Sequence, residues 1–238
     1  MPMAAGNAAT LEDGVILLDS EWVVLSGQEP TRSETLKENE ALKLFDVVPR
    51  HQFRLEQDAN DARGRTRIAA DTILLAVQNR DDVWCEAKRK SGNERFVCLA
   101  DTDGDGQPDH YFRFRQNSEL FINAARVNVK LRPLGNAIGL ASVDWLTEGE
   151  RFVIELFFQN RAEWVKKNFF SICINRGDLR TIWGTQMDAR ICLGQDIVLD
   201  DDEYPYSVGL YGGFFRLESR EKNFVDVNII SPPIDISF

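Results

Sequence analysis

Apolar residues recur along this chain in short, alternating runs and rarely with helical spacing. The stretch GVILLDSEWVVL at 14–25 is two apolar runs parted by Asp19-Ser20-Glu21. RFVIELFFQ at 151–159 and FFSICIN at 169–175 are rich in Phe and Ile and too short for long helices. Toward the C-terminus, 214–217, 224–230 and 234–238 alternate apolar with polar residues around turns at 219–223 and Ser231-Pro232-Pro233. Each run reads as a strand with one face turned to a core. Helical patterning is confined to 32–45, where Thr31 and Glu34 have capping-box spacing but Leu42, Leu44, Val47 and Val48 continue equally well as a strand ending at Pro49, and to short stretches at 117–125 and 161–167. The expected fold is all-β, an antiparallel sandwich or barrel-like architecture with few short helices.

Breaks in the pattern suggest the organisation. Residues 1–10 (MPMAAGNAAT) carry no apolar run and read as a disordered N-terminal segment. Pro133, Gly135, Gly139 and Gly149 make 133–150 the best linker or crossover. On this reading 11–132 is one β-rich domain and 151–238 a second, or the two form a single sandwich. Each side holds two cysteines, Cys85 with Cys98 and Cys173 with Cys192, at the ends of neighbouring strand-like runs. Two local pairs read as two disulfides, each restricting the unfolded chain by roughly 3 kcal/mol on the loop-entropy model. The alternative is four buried thiols. No CxxC occurs, which disfavours zinc.

Composition changes the picture less than charge does. With 43% hydrophobic and 28% charged residues the chain is an ordinary globular one, and it contains no run suited to a transmembrane helix. The net charge is -10, from 28 basic and 38 acidic residues, which argues against nucleic acid as a partner. Neither a basic n-region nor a 7–15-residue apolar stretch opens the chain, so the disulfide reading implies a periplasmic or extracellular, bacterial-type location with the signal peptide absent from this sequence.

The negative charge is concentrated in two places. In FVCLADTDGDGQPDHYFRF at 96–114, Asp101, Asp103, Asp105 and Asp109 fall at positions 1, 3, 5 and 9 of a loop, with Gly106 at 6 and Gln107 at 7. Alternate side chains in a tight turn converge on one point, Gly permits the bend, and the residue at 7 offers its main-chain carbonyl. Hard oxygen ligands in that number suit Ca²⁺. Position 12 is Phe112, where an EF-hand places a bidentate Glu, and the flanks are strand-like. The stretch therefore resembles the DxDxDGxxD calcium loops on β-hairpins, as in FG-GAP propeller blades and thrombospondin type 3 repeats. The resemblance covers about nine residues and implies a shell of Asp101, Asp103, Asp105, Gln107 through its main chain, and Asp109. A single copy does not imply a propeller.

The second concentration is Asp200, Asp201, Asp202 and Glu203, followed by Tyr204 and Tyr206, a candidate ligand-binding loop for carbohydrate or a second metal. Removing these four acids and the four loop aspartates from the 38 leaves 30 against 28 bases, a nearly neutral remainder. Of the tryptophans, Trp22, Trp84 and Trp183 read as core and Trp145 and Trp164 as candidate stacking surfaces. Catalytic signatures are sparse: GxSxG, HExxH and P-loop patterns do not occur, and His51 and His110 lie in strand-like segments. The leading expectation is an exported calcium-binding module that engages carbohydrate or another surface protein. The alternative is a calcium-stabilised polysaccharide hydrolase using a carboxylate pair.

Overall fold

The computed structural model describes residues 14–25, 31–78, 80–87, 95–115, 125–144, 147–159, 167–182, 185–192, 197–210, 213–221, 223–231 and 235–237. Among them no segment is helical, and the sheets whose register is defined are antiparallel throughout. The all-β expectation holds.

Of the two readings of 32–45, the strand ending at Pro49 is the one found, and the helical reading gives way to two strands, Arg32–Lys37 and Ala41–Pro49. Asn39 turns the chain between them with φ 64°, a left-handed conformation that Asn tolerates and that ends any helix. Beyond the turn, Leu42, Leu44, Phe45, Val47 and Val48 are all buried, a near-continuous apolar run that suits a strand covered on both faces. Of the other two helical stretches, 116–124 and 160–166 lie outside the described residues, and Ala125 opens the strand Ala125–Val129.

The chain divides into two compact units. Unit one comprises Met1–Glu21, Pro49–Glu150 and Ser237–Phe238, and unit two Trp22–Val48 and Arg151–Ile236. Residues 22–48 fall with the C-terminal half in unit two, and 133–150 lie in unit one. There Leu140–Ser142 pairs with Gln52–Leu55, and Leu134 bridges Asp61. Gly135 owes its place to close approach, since a Cβ on it would stand 2.6 Å from the Asp61 carbonyl oxygen. At Gly135 the absence of a side chain is therefore a packing requirement.

Unit one is built on a seven-stranded sheet in the order Arg132–Pro133, His110–Phe114, Phe96–Ala100, Val83–Glu86, Ile73–Ala76, Gln52–Leu55, Leu140–Ser142. One core packs Leu55, Leu74, Trp84, Val97, Leu99, Tyr111 and Ile138 together. On alternate positions of the same strands Phe96, Cys98, Phe112 and Phe114 are also buried, with Phe96 and Phe114 stacked at 5.1 Å between ring centroids. Asp61 ties the periphery down. Only 5% exposed, it accepts from the backbone N–H groups of Arg63 (2.9 Å) and Arg65 (3.1 Å) and from the Arg65 and Arg67 guanidinium groups. Burial opposes its ionisation, yet these donors outweigh burial and hold the carboxyl well below the usual carboxylate range.

In unit two, Thr185–Cys192, Asn168–Ile182, Phe152–Gln159 and Ala41–Pro49 are successive strands of a second sheet, and Phe152–Gln159 alternates buried and half-buried side chains along its length. Tyr206–Leu210, Gly213–Glu221, Phe224–Ser231 and Arg32–Lys37 form a four-stranded sheet. Trp22 lies against Phe152 edge to face, with ring centroids 5.0 Å apart. It is fully buried and Trp84 nearly so, which makes both core residues; Trp145, Trp164 and Trp183 lie outside the described residues.

Candidate metal centre

The sequence places the acidic loop on a hairpin of the unit-one sheet. Phe96–Ala100 and His110–Phe114 pair in register from Phe96 opposite Phe114 to Ala100 opposite His110, leaving 101–109 as the connection. Its ends are fixed by backbone bonds. Asp109 N–H donates to the Ala100 carbonyl (3.0 Å), Asp101 N–H to the Asp82 carbonyl (2.9 Å), and Leu134 N–H to the Asp109 carbonyl (2.9 Å). Three residues before Asp101, Cys98 stands opposite Cys85, and the two are joined by a disulfide with Cα atoms 4.0 Å apart. Cys173 and Cys192 are likewise paired across strands in unit two, with Cα atoms 3.8 Å apart. Both disulfides are those the sequence suggests, and bonds of this kind form and persist in oxidising environments.

Within the loop the carboxylates of Asp101, Asp103 and Asp105 come together, with one oxygen of each inside 4.8 Å of the others. Twice a Ca–O bond of about 2.3–2.6 Å is close to that span, so one ion fits among them. Asp101 is buried and Asp103 and Asp105 are exposed. The loop's own N–H groups orient them: Gly104 N–H donates to Asp101 Oδ1 and Gly106 N–H to Asp101 Oδ2, both at 2.7 Å. Asp105 N–H donates to Asp103 Oδ1 (3.3 Å) and Gln107 N–H to Asp105 Oδ1 (2.7 Å). A carboxylate has about four acceptor sites, so each retains capacity for a cation. Gly104 and Gly106 have φ of +79° and +85°, which is why glycine occupies those positions.

Charge crowding is visible at Asp103. The N–H of Asp105 favours its ionised form, but desolvation and the neighbouring carboxylates of Asp105, Asp101 and Asp109 outweigh that bond and raise its pKa. The donor set is all oxygen and anionic, and it fits a hard divalent cation.

Asp109 behaves differently. Its Oδ1 accepts from Thr102 N–H (2.8 Å) and its Oδ2 from Thr102 Oγ1 (2.6 Å), and His110 Nδ1 lies 3.0 Å from the same Oδ2. Burial opposes ionisation there, but these donors win and lower its pKa. The structure does not bring its side chain into the group of three. It bolts the two ends of the loop together instead, through Thr102, a residue the metal-loop spacing does not flag. A hydroxyl directly after the first aspartate, in Asp101-Thr102, was the available signal. For Gln107, expected to contribute a main-chain carbonyl, the bond in place is its N–H donation to Asp105.

The 200–206 loop is organised by local pairing. Asp200 N–H donates to Glu203 Oε2 (2.6 Å), Glu203 N–H to the Asp200 carbonyl (3.1 Å), and Lys167 lies 3.4 Å from Asp200. Asp201 accepts from Asn168 Nδ2 at 3.0 Å and pairs with Arg220, and these two donors lower its pKa. Asp202 is exposed, Tyr206 is 39% exposed, and burial pushes the Tyr204 phenol up to about 12. Among the described residues, the carboxylate group able to hold a metal is that of Asp101, Asp103 and Asp105. His51 Nε2 lies 3.9 Å from Glu21 Oε2, and His110 belongs to the Asp109–Thr102 contact.

No protein-family model matches the chain, and no curated protein or solved structure matches it.

Proposed function

We propose that this protein is an exported binding or interaction module in which the 101–109 loop holds one structural Ca²⁺. The convergence of the Asp101, Asp103 and Asp105 carboxylates on a glycine-bent hairpin loop carries this reading. Calcium would be held by those three carboxylates, with the Gln107 carbonyl and water completing an oxygen shell, and Asp109 would act through Thr102 as a positioning residue. That arrangement is in keeping with the likeness of the stretch to the DxDxDGxxD loops of FG-GAP and thrombospondin type 3 repeats.

Incomplete side-chain ligation suits an affinity on the order of 10⁻⁴–10⁻³ M, useful where calcium is abundant. The disulfides support such a compartment, periplasmic or extracellular. No helix among the described residues is long and apolar enough to cross a membrane. Phe214 and Phe224, 40% and 45% exposed at the two ends of the four-stranded sheet of unit two, are candidate contacts for carbohydrate or a protein partner.

Calorimetric titration of chelator-treated protein with CaCl₂ tests the metal assignment. One site per chain, lost in Asp101→Asn, is expected; a flat titration up to 10 mM Ca²⁺ removes the proposal.

A further inference from the structure

Unit one also carries a concentration of positive charge that calcium does not use. Arg95, just before the strand Phe96–Ala100, Arg113 on His110–Phe114, Asn128 and Lys130 at the end of Ala125–Val129, and Arg132 on Arg132–Pro133 line one cavity of about 260 Å³. The residues lie far apart in sequence and are assembled by the sheet. Arg132 is the register partner of Tyr111, and Arg113, two positions further along that strand, therefore stands diagonal to Arg132 within reach of a long side chain. Asn128 and Lys130 are exposed on the side of their strand opposite buried Val127 and Val129.

Three guanidinium groups and an ammonium share this cavity, and among the described lining residues there is no carboxylate. None of the four cations forms an ion pair or side-chain hydrogen bond with another described residue. Like charges so placed repel, and a bound anion relieves the repulsion. Arg and Lys are pure donors, so the complementary ligand is rich in acceptors. Arg forks match the paired oxygens of phosphate, sulfate or carboxylate.

Size narrows the class. At about 260 Å³ the cavity is smaller than the roughly 300–1,000 Å³ of drug-sized sites. A compact anion can be met by all four cations at once, whereas a long polyanion would extend beyond them. We propose that this cavity binds a compact, multiply charged oxyanion: a phosphate or sulfate group, free or carried on a small polar molecule of hexose size.

The test uses full-length protein stripped of metal and exchanged into phosphate-free Tris buffer at low ionic strength, titrated calorimetrically with sodium sulfate, inorganic pyrophosphate and a hexose 6-phosphate. Saturable one-to-one binding of at least one probe is expected, weakened tenfold or more in Arg113→Gln/Arg132→Gln and also reduced in Lys130→Gln. Arg126→Gln, on the same strand but outside the cavity, should bind as the unmodified protein does. Which probe binds best separates a free anion from an ester. Melting temperatures check that the variants fold, and the single Lys130→Gln change carries the test if the double variant does not. Absence of binding by all three probes overturns the proposal. So does equal binding by the cavity variants, or a heparin chain or oligonucleotide binding more tightly than every compact probe.

Discussion

The backbone N–H of Gly106 donates to Oδ2 of Asp101 across the turn at 2.7 Å, so the residue that permits the bend also orients the buried Asp101 carboxylate. Gly106 has φ +85°, and a Cβ there would meet nothing within 4 Å. Gly106→Ala therefore introduces backbone strain without a steric clash. It should cost about 1 kcal/mol in denaturant unfolding and weaken calcium binding as the Asp101 oxygens lose their orientation. Unchanged stability with unchanged affinity would show that the turn does not set the site.

Asp109 and Asp103 should separate in their roles. Thr102→Val removes the hydroxyl bonded to Asp109 and should lower stability by about 1 kcal/mol with or without calcium. Asp103→Asn should instead reduce calcium affinity while leaving the metal-free protein as stable or more so, because it relieves charge crowding. Unfolding curves of both variants with and without CaCl₂ read the difference. A larger affinity loss for Thr102→Val than for Asp103→Asn would reverse the assignment.

Asp61 predicts a pH dependence. Its folded pKa lies below the unfolded value of about 3.9, so its stabilising contribution is complete above that value and is lost as pH falls toward the folded pKa. Asp61→Asn should destabilise the protein at pH 7, and the gap between the two should narrow below about pH 4. A gap independent of pH between 7 and 3 would mean that the carboxylate charge is not what the Arg65 and Arg67 contacts use.

Removing the Cys85–Cys98 bridge as a double Ala variant should cost about 2–5 kcal/mol and weaken calcium binding, because the bridge clamps the strand that leads into Asp101. The Cys173–Cys192 bridge lies in the other unit, and its removal should lower stability while leaving calcium affinity unchanged. Titration of both variants reads the contrast directly.

Strands with clear alternation, such as Phe152–Gln159, are legible in the sequence because one side of a sheet selects every second residue. The 32–45 segment misleads because Thr31 and Glu34 mimic a cap. What makes it two strands is non-local: Leu36 stands opposite Val225, nearly two hundred positions away, and one left-handed Asn39 sits between the strands. Likewise the convergence of Asp101, Asp103 and Asp105 is readable from spacing, whereas the bonding of Asp109 depends on rotamers that spacing does not encode. The cationic cavity is invisible for the same reason as the sheet order, since Arg95, Arg113 and Arg132 meet only once three strands are paired.

Thermal unfolding with and without calcium tests the central claim most directly. With a dissociation constant of about 10⁻⁴–10⁻³ M, 10 mM CaCl₂ should stabilise the metal-free protein by roughly 1.4–2.7 kcal/mol, a rise of several degrees in Tm that EDTA reverses. Asp101→Asn/Asp103→Asn/Asp105→Asn should melt at one temperature in both conditions. Equal Tm values for the unmodified protein in 10 mM CaCl₂ and in EDTA, or a calcium shift that survives in the triple variant, would contradict a structural calcium site in the 101–109 loop.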